Sequence, residues 1–239
     1  MFARLGTIMM LMPAVGKKSI PARIRLTTAL LICLVLYPSS SVYFGKLPDE
    51  LFAIAAILAH ELLVGFAIGL CLRMLMATLQ VAGTVIAFQM SLSMANSMDP
   101  SQPGVQSAVV ASFLSLIGIT IIFTTNLHHL ALVGLHDSYV LFSPSSALPV
   151  EDFAALALNT IVSTFTVGIQ ISGPFIVFGL VFYIGLGLLA RLMPQLQIFF
   201  IAMPAAIAIG LILLAILLGT MMMWYHNYAE IQFTRFLAD

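Results

Sequence analysis

Charge is what this sequence has least of. Only 8% of its 239 residues are Asp, Glu, Lys or Arg, whereas a soluble domain has about 25%. Nine basic residues balance nine acidic ones, so the chain has no net field that would attract nucleic acid. The composition therefore excludes an ordinary soluble domain and predicts no nucleic-acid partner.

Cysteine is also scarce. Cys33 and Cys71 both lie in apolar runs, where a free thiol behaves as a small hydrophobe, and two such residues do not form a disulfide framework. A cleaved signal peptide is not expected either, because the first apolar run leads to Lys17 and Lys18 rather than to a small-residue cleavage site. We expect the first segment to belong to the mature protein, with a few residues upstream as an open alternative.

Long uncharged runs are abundant. Hydrophobic residues make up 62% of the chain, and residues 153–190 and 192–229 carry no charge, with Arg191 alone between them. A continuous helix over either run would be nearly twice as long as a hydrocarbon core of roughly 30 Å. Either Gly173-Pro174 and Met203-Pro204 break these helices, or the helices continue beyond the bilayer and are covered by other protein.

These patterns predict an all-α, integral-membrane-type protein with long apolar helical hairpins, packed within a larger helical assembly. Small residues at helical spacing, Gly65 with Gly69 and Ala202 with Ala206 and Gly210, allow helices to approach closely, within the chain or between subunits. No linker divides the chain, so we expect one membrane domain over residues 1–239.

Glu61 is the clearest candidate for a buried charge. It lies in the apolar run 51–72, and a carboxylate at the middle of a spanning helix costs at least about 2.5 kcal/mol on insertion scales. We expect Glu61 to face protein or a wet cavity. One hypothesis is a polar contact that fixes subunit register, and the alternative is a locally satisfied carboxyl, with Arg73 as its partner.

A methionine stripe leads into a polar loop near the middle of the chain. Met90, Met94 and Met98 recur every four residues, so a helix would place them on one face that ends at Asp99-Pro100. The bare pattern is consistent with flexible side chains that fill space against neighbouring helices.

Residues that could perform chemistry do not form a convincing site. The stretch "HELLV" at 60–64 has Val64 where a zinc protease needs its second histidine, and no Ser/His/Asp arrangement follows from spacing. The histidine cluster after residue 126 is interpreted as structural rather than metal-binding, since adjacent histidines on a helix point apart. Its members are His128, His129, His136 and Asp137. We predict no enzyme, cofactor or metal.

A secondary transporter is the alternative function. Gly173-Pro174 and Met203-Pro204 could be helix breaks around a midplane site, and Glu61 with Arg73 could carry ions. Against it, no internal repeat is visible in the sequence.

Several stretches together resemble the FliR family of flagellar type III export-gate proteins, in the family's order over nearly the whole chain. The stretches are "FARLGTIMMLMPAVGKKSIPARIRL" at 2–26, "HELLVGFAIGLCLRM" at 60–74, "QVAGTVIAFQMSLSMANSMDP" at 80–100, "TNLHHLAL" at 125–132 and "ARLMPQLQIFFIAMPAAIAIGL" at 190–211. Leu127 and Gln197 depart from the expected glycine and asparagine, and the N-terminus is short for the family. Asp99-Pro100 favours the flagellar members over virulence-type secretion homologues, which stay an alternative.

The resemblance implies a non-enzymatic subunit of the bacterial inner membrane, at the flagellar basal body. Such a subunit assembles with FliP and FliQ into an export channel for unfolded flagellar proteins, with FlhB around the cytoplasmic entrance. Much of what hydropathy marks as transmembrane is then raised out of the bilayer and buried among subunits.

Two sites follow from the same resemblance. The segment 89–104, here called the plug segment, would keep the resting channel closed, with space-filling methionines as the alternative. Its predicted residues are Gln89, Met90, Met94, Met98, Asp99 and Pro100. A cytoplasmic hairpin turn near the channel entrance would contain Arg191, Pro194 and Gln195, with a plain loop between two helices as the alternative.

Overall fold

The computed structural model of the protein describes residues 1–13, 20–40, 43, 49–92, 105–144, 150–193 and 198–236. Within these ranges the regular structure is helical, which confirms the predicted all-α class. The helices are α1 (Phe2–Leu11), α2 (Ala22–Ser40), α3 (Leu51–Gln89), α4 (Val105–Thr124), α5 (Leu127–Leu141), α6 (Val150–Leu192) and α7 (Ile198–Thr234).

Three helices are much longer than a bilayer is thick. With 39, 43 and 37 residues, α3, α6 and α7 rise by about 58, 65 and 56 Å. Pro174 lies inside α6 and Pro204 inside α7, and neither ends its helix. A proline removes one backbone hydrogen bond, and the remaining bonds keep these helices continuous. The helix breaks that the transporter alternative needs are therefore not formed.

Four of the described helices are long and apolar enough to cross a membrane, namely α2, α3, α6 and α7. Helices α4 and α5 meet at a bend of 72°. Counted together as one broken span, they give a fifth span. At this bend Asn126 adopts a left-handed conformation with φ of 59°, which asparagine tolerates better than most residues. The sequence pattern around "TNLHHLAL" does not indicate so sharp a bend.

The chain forms two compact units. Unit 1 contains Met1–Met76, Ile121–Ser163 and Tyr228–Asp239, and unit 2 contains Ala77–Thr120 and Thr164–Asn227. The stretches of the two units alternate along the sequence. No single cut in the chain therefore separates one unit from the other.

In unit 1, α1 packs against α3 at two glycines. A Cβ atom on Gly65 would lie 2.7 Å from the carbonyl oxygen of Arg4, and one on Gly69 would lie 2.8 Å from the side chain of Leu11. Leu5 and Ile8 of α1 are fully buried. The predicted close approach at Gly65 and Gly69 is therefore confirmed, and it occurs within the chain.

In unit 2, small residues again allow helices to approach. A Cβ atom on Gly83 of α3 would lie 2.7 Å from the backbone nitrogen of Ala111 in α4. One on Gly168 of α6 would lie 3.1 Å from the carbonyl oxygen of Thr78 in α3. These contacts hold one end of α3 against two other helices.

We predict that Gly65→Ala destabilises the isolated chain by about 1–3 kcal/mol, because the new methyl group meets the backbone of α1 rather than a flexible side chain. The matched control is Gly173→Ala in α6, where an added Cβ has nothing within 4 Å. Alanine is the better helix former by about 1 kcal/mol, so the control should be as stable as the parent or more stable. Thermal unfolding in detergent, followed by circular dichroism, measures both; equal melting temperatures would contradict the close contact.

Candidate functional site

Glu61 pairs with an arginine of the first helix. The Arg4 Nη2 atom donates a hydrogen bond of 2.6 Å to Glu61 Oε1. Arg4 is 0% exposed and Glu61 is 2% exposed, so both charges are removed from solvent. An ion pair with this geometry offsets the cost of burying each charge alone.

Arg4 also binds the end of α5. Its Nη1 atom donates to the Ser138 carbonyl oxygen at 2.7 Å, and its Nη2 atom donates to the Phe142 carbonyl oxygen at 2.8 Å. The guanidinium carbon lies 4.2 Å from the ring centroid of Tyr139. The Ser138 carbonyl oxygen also accepts from the Phe142 amide at 3.0 Å, so Arg4 adds a second donor there. The end of a helix carries partial negative charge and attracts a cation, so Arg4 complements the C-terminal end of α5. We call Arg4, Glu61, Ser138, Tyr139 and Phe142 the Arg4 cluster.

The local sequence explains how Arg4 reaches this position. Arg4 and Ile8 are four residues apart and share the buried face of α1, next to the glycine pair on α3. Because Gly65 and Gly69 have no side chains, α1 comes close enough for Arg4 to extend to Glu61. The planar guanidinium then supplies donors in several directions at once, which a lysine ammonium on the same stem would do less well.

Arg73 is not the partner of Glu61. Both residues lie on α3, 12 positions apart, which is about 18 Å along a helix. Arg73 is exposed, whereas Glu61 is buried. The pairing of Glu61 with Arg73, which the alternative interpretation suggested, is therefore wrong, because a continuous helix keeps them apart. The partner that sequence reasoning missed is Arg4, and its signal was an arginine inside a short apolar helix.

The plug segment is described only at its beginning. Helix α3 ends at Gln89, and Met90 is 0% exposed. Ser91 follows with a left-handed backbone, φ 60°, and its hydroxyl lies 2.8 Å from the Tyr183 hydroxyl. The other predicted plug residues lie outside the described residues. They are Met94, Met98, Asp99 and Pro100.

The predicted hairpin turn is also described in part. Arg191 lies exposed in the last turn of α6, where a cation complements the partial negative charge of the helix end. Pro194 and Gln195 lie outside the described residues. The role of this turn stays a prediction.

The predicted histidine cluster divides into two places. The rings of His128 and His129 have centroids 4.2 Å apart at the start of α5, so these adjacent histidines do not point apart as expected. His136, two turns later, has Nε2 at 2.9 Å from Ser39 Oγ and Nδ1 at 3.1 Å from Asp137 Oδ1. Within the described ranges no group of three or more His, Cys, Asp or Glu residues could hold a metal ion.

The hydrogen-bond connectivity from Ser39 to His136 to Asp137 resembles that of a hydrolase triad. The environment of Ser39 does not suit a catalytic serine. Ser39 lies in the last turn of α2, where helix carbonyls rather than amides are unpaired. A developing oxyanion needs N–H donors, and this end of a helix carries partial negative charge. The arrangement is better explained as a polar contact between α2 and α5.

Four described helices that are long and apolar enough to cross a membrane indicate a polytopic helical membrane protein. The family model of bacterial export proteins, family 1, matches residues 1–231. The chain is 44% identical over 231 residues to the flagellar biosynthetic protein FliR of Caulobacter vibrioides, which covers 96% of this chain and 92% of that protein. It is 29% identical to FliR of Bacillus subtilis over 95% and 87% of the two chains, and 30% identical to FliR of Escherichia coli over 86% and 78%.

The chain belongs to the FliR family of bacterial export proteins. It is thus a subunit of the flagellar export apparatus with a membrane location, and this family is not a known enzyme family.

We predict that Arg4→Ala lowers the stability of the isolated chain by about 3–5 kcal/mol, because it removes the hydrogen-bonded counter-charge of the buried Glu61 carboxylate and leaves only the Met1 amino group, 3.8 Å away. For a chain of this size that is a fall in melting temperature of roughly 6–20 °C. Glu61→Gln should destabilise for the converse reason, by leaving the Arg4 charge unpaired.

The double variant Arg4→Met with Glu61→Met should lose much less than the two single methionine variants added together, since it removes both charges. Arg73→Ala is the matched control on the exposed side of α3 and should change stability by less than about 0.5 kcal/mol. Additive losses in the double variant would contradict the coupling of Arg4 to Glu61.

Proposed function

We propose that the chain is the FliR-type subunit of the flagellar export gate in the bacterial inner membrane, at the flagellar basal body. It assembles with FliP and FliQ into the export channel for unfolded flagellar proteins, and FlhB surrounds the cytoplasmic entrance. The proposal rests on family membership together with one observation, the uncovered length of α6.

Helix α6 is too long and too apolar to be covered by lipid alone. Its 43 residues rise by about 65 Å, and a hydrocarbon core of roughly 30 Å covers less than half of that length. In its most apolar 18-residue window only 11% of the residues are buried by the rest of the chain. Apolar surface that neither lipid nor the chain covers needs other protein subunits.

Exposed apolar side chains occur along the whole of this helix. Leu158 and Val162 are 64% and 63% exposed, and Val181 and Leu188, up to 30 residues later, are 65% and 60% exposed. A surface of this extent favours a hetero-oligomeric assembly over a self-contained transporter. The unbroken course of α6 and α7 past Pro174 and Pro204 supports the same choice.

We further propose that the plug segment keeps the resting channel closed to ions. Methionine suits a soft seal, because a thioether on three rotatable bonds adapts to irregular gaps. Met90 is already buried within the chain and would anchor the start of the segment. Asp99-Pro100 through Gly104 has the composition of a loop that can change conformation.

Native mass spectrometry tests the assembly. The chain, co-expressed with FliP and FliQ and purified in detergent, is expected to yield one complex that holds this chain with several copies of both partners. A stable monomer or homodimer that never captures either partner would contradict the proposal. Flux assays in vesicles would then test the transporter alternative.

Deletion of Ser97 to Gly104 tests the plug. In the assembled gate we expect this deletion to raise the ion leak across vesicle membranes, because the seal loses both its last methionine and its loop. The same variant must first give the parent complex by native mass spectrometry. An intact complex without extra leak would favour the space-filling interpretation of the methionines.

A further inference from the structure

The three residues Gln89, Met90 and Ser91 are held in a socket built by α6 and α7. We propose that Gly179, Tyr183 and Gly210 form this socket and fix the direction in which the chain leaves α3. The functional consequence, that the socket sets the position of the plug segment, rests on the proposed plug role.

The first wall of the socket is Gly210 on α7. A Cβ atom there would lie 2.5 Å from Cγ, 3.0 Å from Cε and 3.2 Å from Cβ of Met90. These three atoms span the length of the methionine side chain, so rotating its far end alone would not make room. Met90 is 0% exposed. Its side chain occupies the space that a side chain on residue 210 would need.

The second wall is Gly179 on α6. A Cβ atom at this position would overlap the side-chain amide oxygen of Gln89 and lie 2.9 Å from its Cδ atom. The two consecutive residues at the end of α3 therefore rest on glycines from two different helices. The contact at Gly179 involves the far end of the partly exposed Gln89 side chain, so it restrains the helix end less than the contact of Gly210 with Met90 does.

The third element is a hydroxyl pair. Ser91 Oγ lies 2.8 Å from Tyr183 Oη, one helical turn after Gly179 on α6. Ser91 is 4% exposed and has a left-handed backbone, which is unfavourable for residues other than glycine. The hydroxyl pair helps to offset that cost and holds the chain at the point where it turns out of the helix.

The hydrogen bonds at the end of α3 show where the helix stops. The Met90 amide donates to the Ile86 carbonyl oxygen at 3.0 Å, as in an α-helix. The Ser91 amide donates instead to the Phe88 carbonyl oxygen at 3.1 Å, which tightens the last turn. Both amides therefore report directly on whether the helix end is seated in the socket.

Amide hydrogen exchange of the assembled complex, followed by mass spectrometry of the peptide that contains Met90 and Ser91, tests the socket without reference to ion flow. We expect Gly210→Ala to speed exchange at these amides by about tenfold, since its methyl group displaces the buried Met90 side chain. Gly179→Ala should give a smaller increase, because the end of the Gln89 side chain can rotate away. Tyr183→Phe, which removes one hydroxyl and adds no volume, should give a smaller increase.

The matched controls are Gly219→Ala on α7 and Gly185→Ala on α6, where an added Cβ has nothing within 4 Å. They make the same chemical change on the same two helices and should leave exchange at Met90 and Ser91 unchanged. Native mass spectrometry of every variant confirms that the complex compared is the same.

The ion leak of the same variants separates the socket from the plug. Faster exchange with a raised leak supports both. Faster exchange without extra leak supports the socket and counts against the plug role of the segment that follows. Unchanged exchange in both Gly179→Ala and Gly210→Ala would overturn the socket, whatever the leak.

Discussion

Apolar surface must be covered by lipid or by protein, and this requirement governs the whole chain. Helices α3, α6 and α7 carry apolar side chains over lengths of about 56–65 Å, far more than a bilayer accepts. Under the proposed function, the other subunits of the export apparatus would cover this surface. A subunit of such an assembly can leave much of its surface apolar, because that surface is an interface and not a face exposed to water.

Within this apolar chain, the Arg4 cluster is a polar contact with a defined structural task. The Arg4 cluster ties α1, α3 and the end of α5 together in unit 1, by one ion pair and two bonds to backbone carbonyls. Buried polar groups of this kind specify one arrangement among many apolar ones that would be similar in energy. The glycine pair at Gly65 and Gly69 makes the cluster possible, since the backbones must approach before the side chains can meet.

Much of this could be predicted from the sequence. Composition and run length indicate long membrane-type helices, small-residue spacing indicates close approach at Gly65 and Gly69, and the isolated carboxylate indicates a buried Glu61. The sequence shows Arg4 as an isolated charge in an apolar helix, but not that it pairs with Glu61, because the pairing depends on which helix faces α3. The bend at Asn126 could not be predicted either, since a single left-handed residue leaves no periodic signal. The same holds for the packing of Gln89 against Gly179 and of Met90 against Gly210.

The exposed length of α6 has a consequence for the life of the newly made chain. A ligand that binds only the folded form raises its stability in proportion to the logarithm of concentration, and a partner subunit acts in the same way. Under the proposed assembly, the persistence of this protein in the cell therefore depends on how much of its partners is made at the same time. A copy synthesised in excess would keep the apolar surface of α6 uncovered and become a substrate for proteolysis. The amount of this protein that persists would therefore follow the amount of its partner subunits.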